Sequence, residues 1–311
     1  MKDALIFVAG HRGLVGSAIV RELKHSGYTN IITRNREELD LTNTQDVLDF
    51  FDINNPEIVI DCAAKVGGIK ANNDYPVEFL LDNLKIQNNL IEAAHITNVE
   101  KFLFLGSSCI YPKYSSQPIS EDSFLTGALE PTNEPYAIAK IAGIKLCQSY
   151  NKQYGKNFIS VMPTNVYGIG DNFNLETAHV LPSILRKMHI AKIYNIPMVV
   201  IWGSGIPKRE FIFSEDLASA CVFLMENYNS SDIINIGCGE DISIYDLAIL
   251  IKNIVGYNGK LAFDDSNPDG TPRKVLNVSK LNNLGWKAQT NLKDGIIKTY
   301  EWYKKNYKEI L

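Results

Sequence analysis

The chain has 311 residues, 45% of them hydrophobic and 21% charged, with 31 basic side chains against 35 acidic ones for a net charge of −4. Such proportions belong to a globular protein large enough to bury its own core, and they exclude a disordered, collagenous or coiled-coil chain. The acidic balance argues against a dedicated nucleic-acid binder, which carries a basic surplus or patch. In chain order, the first apolar run, Ala4 to Ala9, is far shorter than the ~18 residues of a membrane span and lacks a signal-peptide cleavage region. Short β-branched runs at Leu5–Ala9, Ile31–Thr33, Ile58–Asp61, Phe102–Leu105 and Phe158–Met162 read as strands. Helical patterns lie between them, near 14–26, 44–53, 76–96 and 135–154. Near-continuous apolar strands alternating with helices predict an α/β, doubly wound parallel sheet over residues 1–165. Beyond 165 the rhythm loosens into a smaller α/β lobe, 166–311, with helices near 179–190, 215–227, 244–255 and 291–305. Part of 211–230 is expected to pack back onto the first domain, so the boundary is soft.

Cys62, Cys109, Cys147, Cys221 and Cys238 are odd in number and widely spaced, and no His pair has metal-ligand spacing. The expectation is a reduced, cytoplasmic protein with no metal and no disulfide framework.

Gly10-His11-Arg12-Gly13-Leu14-Val15-Gly16 follows the first strand and opens the first helix. Glycines allow a sharp turn and close approach of a pyrophosphate, and the helix N-terminus offers free N–H groups. Glycine-rich turns also arise for purely steric reasons, but this placement on the first strand–turn–helix predicts a dinucleotide. The G-x-x-G-x-x-G spacing resembles that of extended short-chain dehydrogenases/reductases, a Rossmann family. Where NAD-binding units carry an acidic residue after the second strand, this chain reads Thr33-Arg34-Asn35-Arg36, with Arg12 in the loop. Guanidinium groups suit an adenosine 2′-phosphate, so NADP(H) is the predicted cofactor. Asp40-Leu41 is a weaker candidate for the adenine edge.

Tyr136-Ala137-Ile138-Ala139-Lys140 places Tyr136 and Lys140 on one helix face, with Asn133 as the expected N-cap and Pro135 in the first turn. An ammonium near the phenol should pull its pKa down toward a working pH. Alone, the spacing occurs in many helices; Ser107-Ser108 after the fourth strand makes it an active-site pattern. Cys109 and His179 have bland readings as a buried thiol and a surface histidine. Facing a keto-sugar, they would instead trade protons at carbons alpha to the ketone.

Three strings, Gly106-Ser107-Ser108-Cys109-Ile110-Tyr111-Pro112-Lys113, Glu130 to Tyr136 continuing through Cys147, and Met162-Pro163-Thr164-Asn165-Val166-Tyr167-Gly168, resemble the GDP-L-fucose synthase family. Ala64-Lys65-Val66-Gly67-Gly68-Ile69, Trp202-Gly203-Ser204-Gly205, Arg209-Glu210-Phe211 and Pro268 to Lys274 extend the likeness nearly end to end. The resemblance implies an NADPH-dependent 3,5-epimerase-4-reductase of GDP-4-keto-6-deoxy-D-mannose. It gives Tyr136, Lys140 and Ser107 the reduction, Cys109 the role of epimerisation base and His179 that of acid. Leu105, Gly106, Ser107, Ser108, Lys140, Pro163, Thr164, Asn165, Val166 and His179 would line the cofactor site. Lys187, Trp202, Arg209 and Asp269 would hold the GDP-sugar. The helices near 76–96 and 135–154 would pair with those of a second copy in a four-helix bundle, making a homodimer. The chain departs from the family at Ile169-Gly170, at Phe213-Ser214-Glu215-Asp216 and at Lys187, where Arg is common. Competing readings are a C4 reductase acting on a related GDP-4-keto-sugar such as a heptose, an NAD-retaining nucleotide-sugar 4-epimerase or dehydratase, and a non-catalytic NADP sensor.

Overall fold

The computed structural model describes residues 2–266 and 269–307. In chain order the first part runs β1 (Ile6–Ala9), α1 (Leu14–His25), β2 (Ile31–Ile32), α2 (Thr44–Asn54), β3 (Ile58–Asp61), α3 (Ile69–Asp74), α4 (Pro76–Ile96), β4 (Lys101–Leu105), α5 (Glu134–Tyr154) and β5 (Phe158–Pro163). Every residue of β1, β3, β4 and β5 is buried. Strands buried on both faces need helices on both sides, the condition for a parallel sheet. The sheet is six-stranded and parallel, in the order β10 (Ile234–Ile236), β5, β4, β3, β1, β2. Its outermost strand, β10, comes from the second half of the chain.

Side chains alternate between two cores. Ile58, Ile60, Leu103 and Leu105 face α1 and α7 (Ser214–Asn227). Val59, Phe102 and Phe104 face α2, α4 and α5. α7 packs on α1, and the chain then adds β10 to the sheet edge. That strand is too short, at three residues, to carry a sequence signal of its own.

The remaining elements are β6 (Asn165–Tyr167), α6 (Val180–Ile193), β7 (Met198–Trp202), β8 (Lys208–Arg209), β9 (Phe211–Phe213), β11 (Ile242–Ser243), α8 (Ile244–Val255), β12 (Lys260–Asp264), β13 (Arg273–Lys274), α9 (Ser279–Asn283) and α10 (Leu292–Asn306). A third core gathers α6, α8 and α10. Fully buried Glu210 ties this part to the sheet by accepting N–H bonds from Cys238 at 2.7 Å, Gly239 at 2.6 Å and Leu276 at 2.8 Å. The chain leaves β1 for β2 on one side and returns to β3 on the other. The switch point therefore lies at the carboxyl ends of β1 and β3, where open α/β sheets bind ligands.

Candidate active site

At that switch point Gly10 turns with φ +76°, and a Cβ there would lie 2.8 Å from the Ala63 backbone. A Cβ on Gly16 would meet the Gly10 carbonyl oxygen at 2.3 Å. Both positions therefore require glycine on packing grounds. Gly13 is the N-cap of α1 and brings no side-chain cap, so the first N–H groups of the helix gain no acceptor from it. An uncapped helix start behind a glycine turn fits a dinucleotide pyrophosphate. The buried Nδ1 of His11 has no hydrogen-bond partner in the protein, a further sign that this loop is built around a ligand. Arg12 and Arg36 are exposed, whereas the Arg34 guanidinium lies over the Phe50 ring, 5.5 Å from its centroid, and bonds the Thr33 carbonyl. Two arginines thus stay open for a phosphate. Asp40 accepts from the Thr42 N–H and hydroxyl, which hold its carboxyl below the usual range with help from Arg36.

Ser107 follows β4, and its Oγ accepts the Cys109 N–H at 3.2 Å. Gly106 sits against Met162, whose Cε would lie 2.4 Å from an added Cβ. Tyr136 and Lys140 share one face of α5, as their spacing predicts. The expected lowering of the phenol does not occur. Burial raises the Tyr136 pKa, the neighbouring Cys109 adds to it, the Ser107 hydrogen bond opposes it and Asp61 adds again. Lys140 Nζ donates to the Leu105 carbonyl at 2.8 Å and lies 4.6 Å from the Phe104 ring centroid. Its own pKa is lowered by burial, with Asp61 acting the other way. The resting phenol is held protonated, as a proton donor must be.

Cys109 lies in the cleft with Asn133 and Lys274. Asn133 N-caps α5 by position only; its side chain makes no cap bond, and Nδ2 donates to Cys109 Sγ at 3.3 Å instead. Lys274 Nζ stands 3.7 Å from the same sulfur. Parallel pairing of β13 with β8 sets Lys274 beside Arg209, so two cations border the thiol. His179 N-caps α6 and is exposed. Desolvation, then the charge of Lys274, lowers its pKa and favours neutral imidazole.

Pro163, Thr164, Asn165 and Val166 continue from the end of β5, with Thr164 and Asn165 bonding the Glu210 carbonyl. Farther out, Lys187 Nζ donates to the Val200 carbonyl at 3.2 Å, and Trp202 ends β7 with its ring half-exposed. Asp269 accepts from Ser204 N at 2.8 Å and Oγ at 2.7 Å, and its carbonyl takes a bond from Arg209. Trp202, Arg209 and Asp269 thus meet around the Gly203–Ser204 turn; Pro268 of the same string lies outside the described residues. Of the departures from the family pattern, Phe213 to Asp216 serves the α7 junction: Asp216 accepts from Thr290, and Ser214 crowds Gly168. Sequence reasoning gave no role to Asp61 or Lys274, and to Asn133 only that of a helix cap. A carboxylate closing an otherwise apolar strand was the available signal for Asp61, whereas Lys274 is 165 residues from Cys109 and joins it only through the fold. Among the described residues, no cluster of His, Cys, Asp or Glu is placed to hold a metal ion, and no helix is long and apolar enough to cross a membrane.

The model of the NAD dependent epimerase/dehydratase family matches residues 6–237. A putative GDP-L-fucose synthase 2 of Arabidopsis thaliana is 57% identical, covering 98% of this chain and 93% of that protein. The crystal structure of a GDP-6-OMe-4-keto-L-xylo-heptose reductase from C. jejuni is 38% identical and superposes with a TM-score of 0.95, covering 99% of each chain. A GDP-L-fucose synthetase from Naegleria fowleri bound to NADP is 31% identical, with a TM-score of 0.91 over 99% of this chain and 96% of that one.

Proposed function

The chain belongs to the NAD dependent epimerase/dehydratase family, among its GDP-L-fucose synthases, and from that premise we propose that it converts GDP-4-keto-6-deoxy-D-mannose to GDP-L-fucose. The reaction is 3,5-epimerisation followed by NADPH-dependent reduction at C4. The observation that carries this reading over reduction alone is the Cys109 environment, with Asn133 at 3.3 Å and Lys274 at 3.7 Å from the sulfur. A thiol kept merely as a small apolar side chain needs neither an amide donor nor an ammonium.

In this reading the Cys109 thiolate removes the protons on C3 and C5 in turn, and His179 returns one to the opposite face each time. Lys274 offsets the negative charge that develops on the sulfur. NADPH, when bound, supplies the hydride to C4. Ser107 donates a hydrogen bond to O4, and Tyr136 gives O4 its phenolic proton. The uncapped start of α1 and the open Arg12 and Arg36 support NADP(H) held through its phosphates. Lys187, Arg209, Trp202 and Asp269 hold the GDP end, the cations against the diphosphate. Residues 1–165, with α7 and β10, then form the cofactor unit, and most of 166–311 forms the substrate lobe.

The exposed apolar side chains Val77 and Leu81 on α4 and Ile138 on α5 support a homodimer through these helices. Sedimentation at several concentrations checks it; a monomer mass at every concentration refutes it. Five free cysteines support a reducing, cytoplasmic setting, which fractionation of the cells that make it would test.

The deciding experiment follows NADPH absorbance with GDP-4-keto-6-deoxy-D-mannose and reads the product by NMR. Inversion at C3 and C5 is expected in the wild type. Cys109→Ser should lose solvent-deuterium incorporation and turnover while still reducing pre-epimerised substrate. Oxidation of NADPH without inversion would make the protein a C4 reductase of a related GDP-4-keto-sugar.

A further inference from the structure

Asp61 closes β3, an otherwise apolar strand, and its residue is fully buried. Strand alternation puts its side chain with that of Val59, on the α5 side of the sheet. The register sets Asp61 beside Phe104 on β4, and Lys140 Nζ lies 4.6 Å from the Phe104 ring centroid. One carboxylate oxygen accepts the Ala63 N–H at 3.0 Å. The other, Oδ2, is buried with no hydrogen-bond partner. A buried carboxylate with a free oxygen is expensive unless a charge compensates it. The cation that stabilises the Asp61 carboxylate is Lys140. We infer that Asp61 is a positioning residue for the reduction step, supplying from the neighbouring strand a counter-charge to the Lys140 ammonium and setting the charge that Tyr136 feels.

The inference rests on the reductase reading of this site. The titratable groups around Asp61 are Lys140, Tyr136 and Cys147 on α5 and Cys62 just after β3. Its charge favours the ammonium of Lys140 and disfavours ionisation of Tyr136. Removing it should therefore let Lys140 lose its proton, and Tyr136 ionise, at lower pH than before. Both changes move the alkaline limb of C4 reduction the same way. Desolvation pushes the Asp61 carboxyl up to about 6, against the pull of Lys140 and the Ala63 N–H. The wild-type site thus changes charge near neutrality.

Asp61→Asn keeps the oxygen that accepts from Ala63 and deletes the charge. The expected result, with pre-epimerised substrate, is an alkaline limb displaced about one pH unit toward acid, with KM for the GDP-sugar unchanged. A lower kcat with the limb where the wild type has it would mean a structural residue and overturn the inference. The second measurement needs no turnover and no folded Asp61 variant. The wild-type protein, labelled with 13C at lysine Cε and assigned by comparison with Lys140→Met, is titrated by NMR. An inflection of the Lys140 signal near pH 6 supports the pairing, and a flat response there overturns it. Failure of the reductase reading shows separately, as no NADPH oxidation with the keto-sugar whatever Lys140 does.

Discussion

On the proposed reading the protein has two proton-transfer corners, and they are tuned in opposite senses. At the reduction corner, burial and the negative charge of its surroundings hold the Tyr136 phenol above its ordinary value. At the epimerisation corner, desolvation and Lys274 hold the His179 imidazolium below its ordinary value. In that reading the first corner keeps its proton until the ketone oxygen draws it off. The second gives its proton up easily, as an acid that must deliver to an enolate carbon should. Pushing the pKa values of two groups apart is how one pocket assigns acid and base roles. It also means that each corner can be broken without the other.

The largest expected effect comes from Tyr136→Phe. It removes the only proton donor assigned to O4 and should lower C4 reduction by ~10²–10⁴-fold. Exchange of solvent deuterium into C3 and C5, which needs Cys109 and not Tyr136, should continue. NMR of the recovered 4-keto-sugar reads both at once. Loss of exchange together with reduction would show that the corners are one coupled unit.

The pH dependence sharpens the contrast. The proton-delivering form of His179 is the imidazolium, and its folded-state pKa is lowered. Inversion at C3 and C5 should fall roughly tenfold per pH unit above that value, as the imidazolium is lost. Tyr136, with a raised value, stays protonated across the same window, so reduction of pre-epimerised substrate should be flat there. Parallel profiles with the two substrates, monitored at constant ionic strength, give the comparison. A common alkaline limb would contradict it.

These differences were unevenly legible in the sequence. The glycine loop and the Tyr136–Lys140 pair are local patterns, and β3, α4 and α8 fall within a residue or two of their predicted limits because apolar periodicity is local too. What pairs with Cys109 is not local. Asn133 looked like a helix cap because cap residues and thiol donors are the same residue types, and only the cleft decides which role it takes. Lys274 reaches Cys109 because β13 pairs with β8, two two-residue strands that no periodicity announces. The low expected pKa of Tyr136 failed for a related reason. The i, i+4 spacing shows that Lys140 shares a helix face with the phenol, not that the Leu105 carbonyl on β4 has already engaged its ammonium.

Lys274→Met is the smallest and most discriminating perturbation, because this one ammonium serves the two members of the epimerisation corner in opposite ways. Beside Cys109 it favours negative charge on sulfur; toward His179 it disfavours a second cation. Deleting the charge should slow deuterium exchange into C3, which needs only the base, by roughly tenfold. The same deletion should raise the His179 value, so that inversion persists to higher pH even as its plateau drops. Reduction of pre-epimerised substrate at saturating concentration should keep its kcat, since neither Tyr136 nor Ser107 depends on Lys274. A plateau that falls without any movement of the limb would confine Lys274 to the thiol. Movement of the limb alone would confine it to the imidazole, and an equal loss in reduction would assign it to holding the diphosphate.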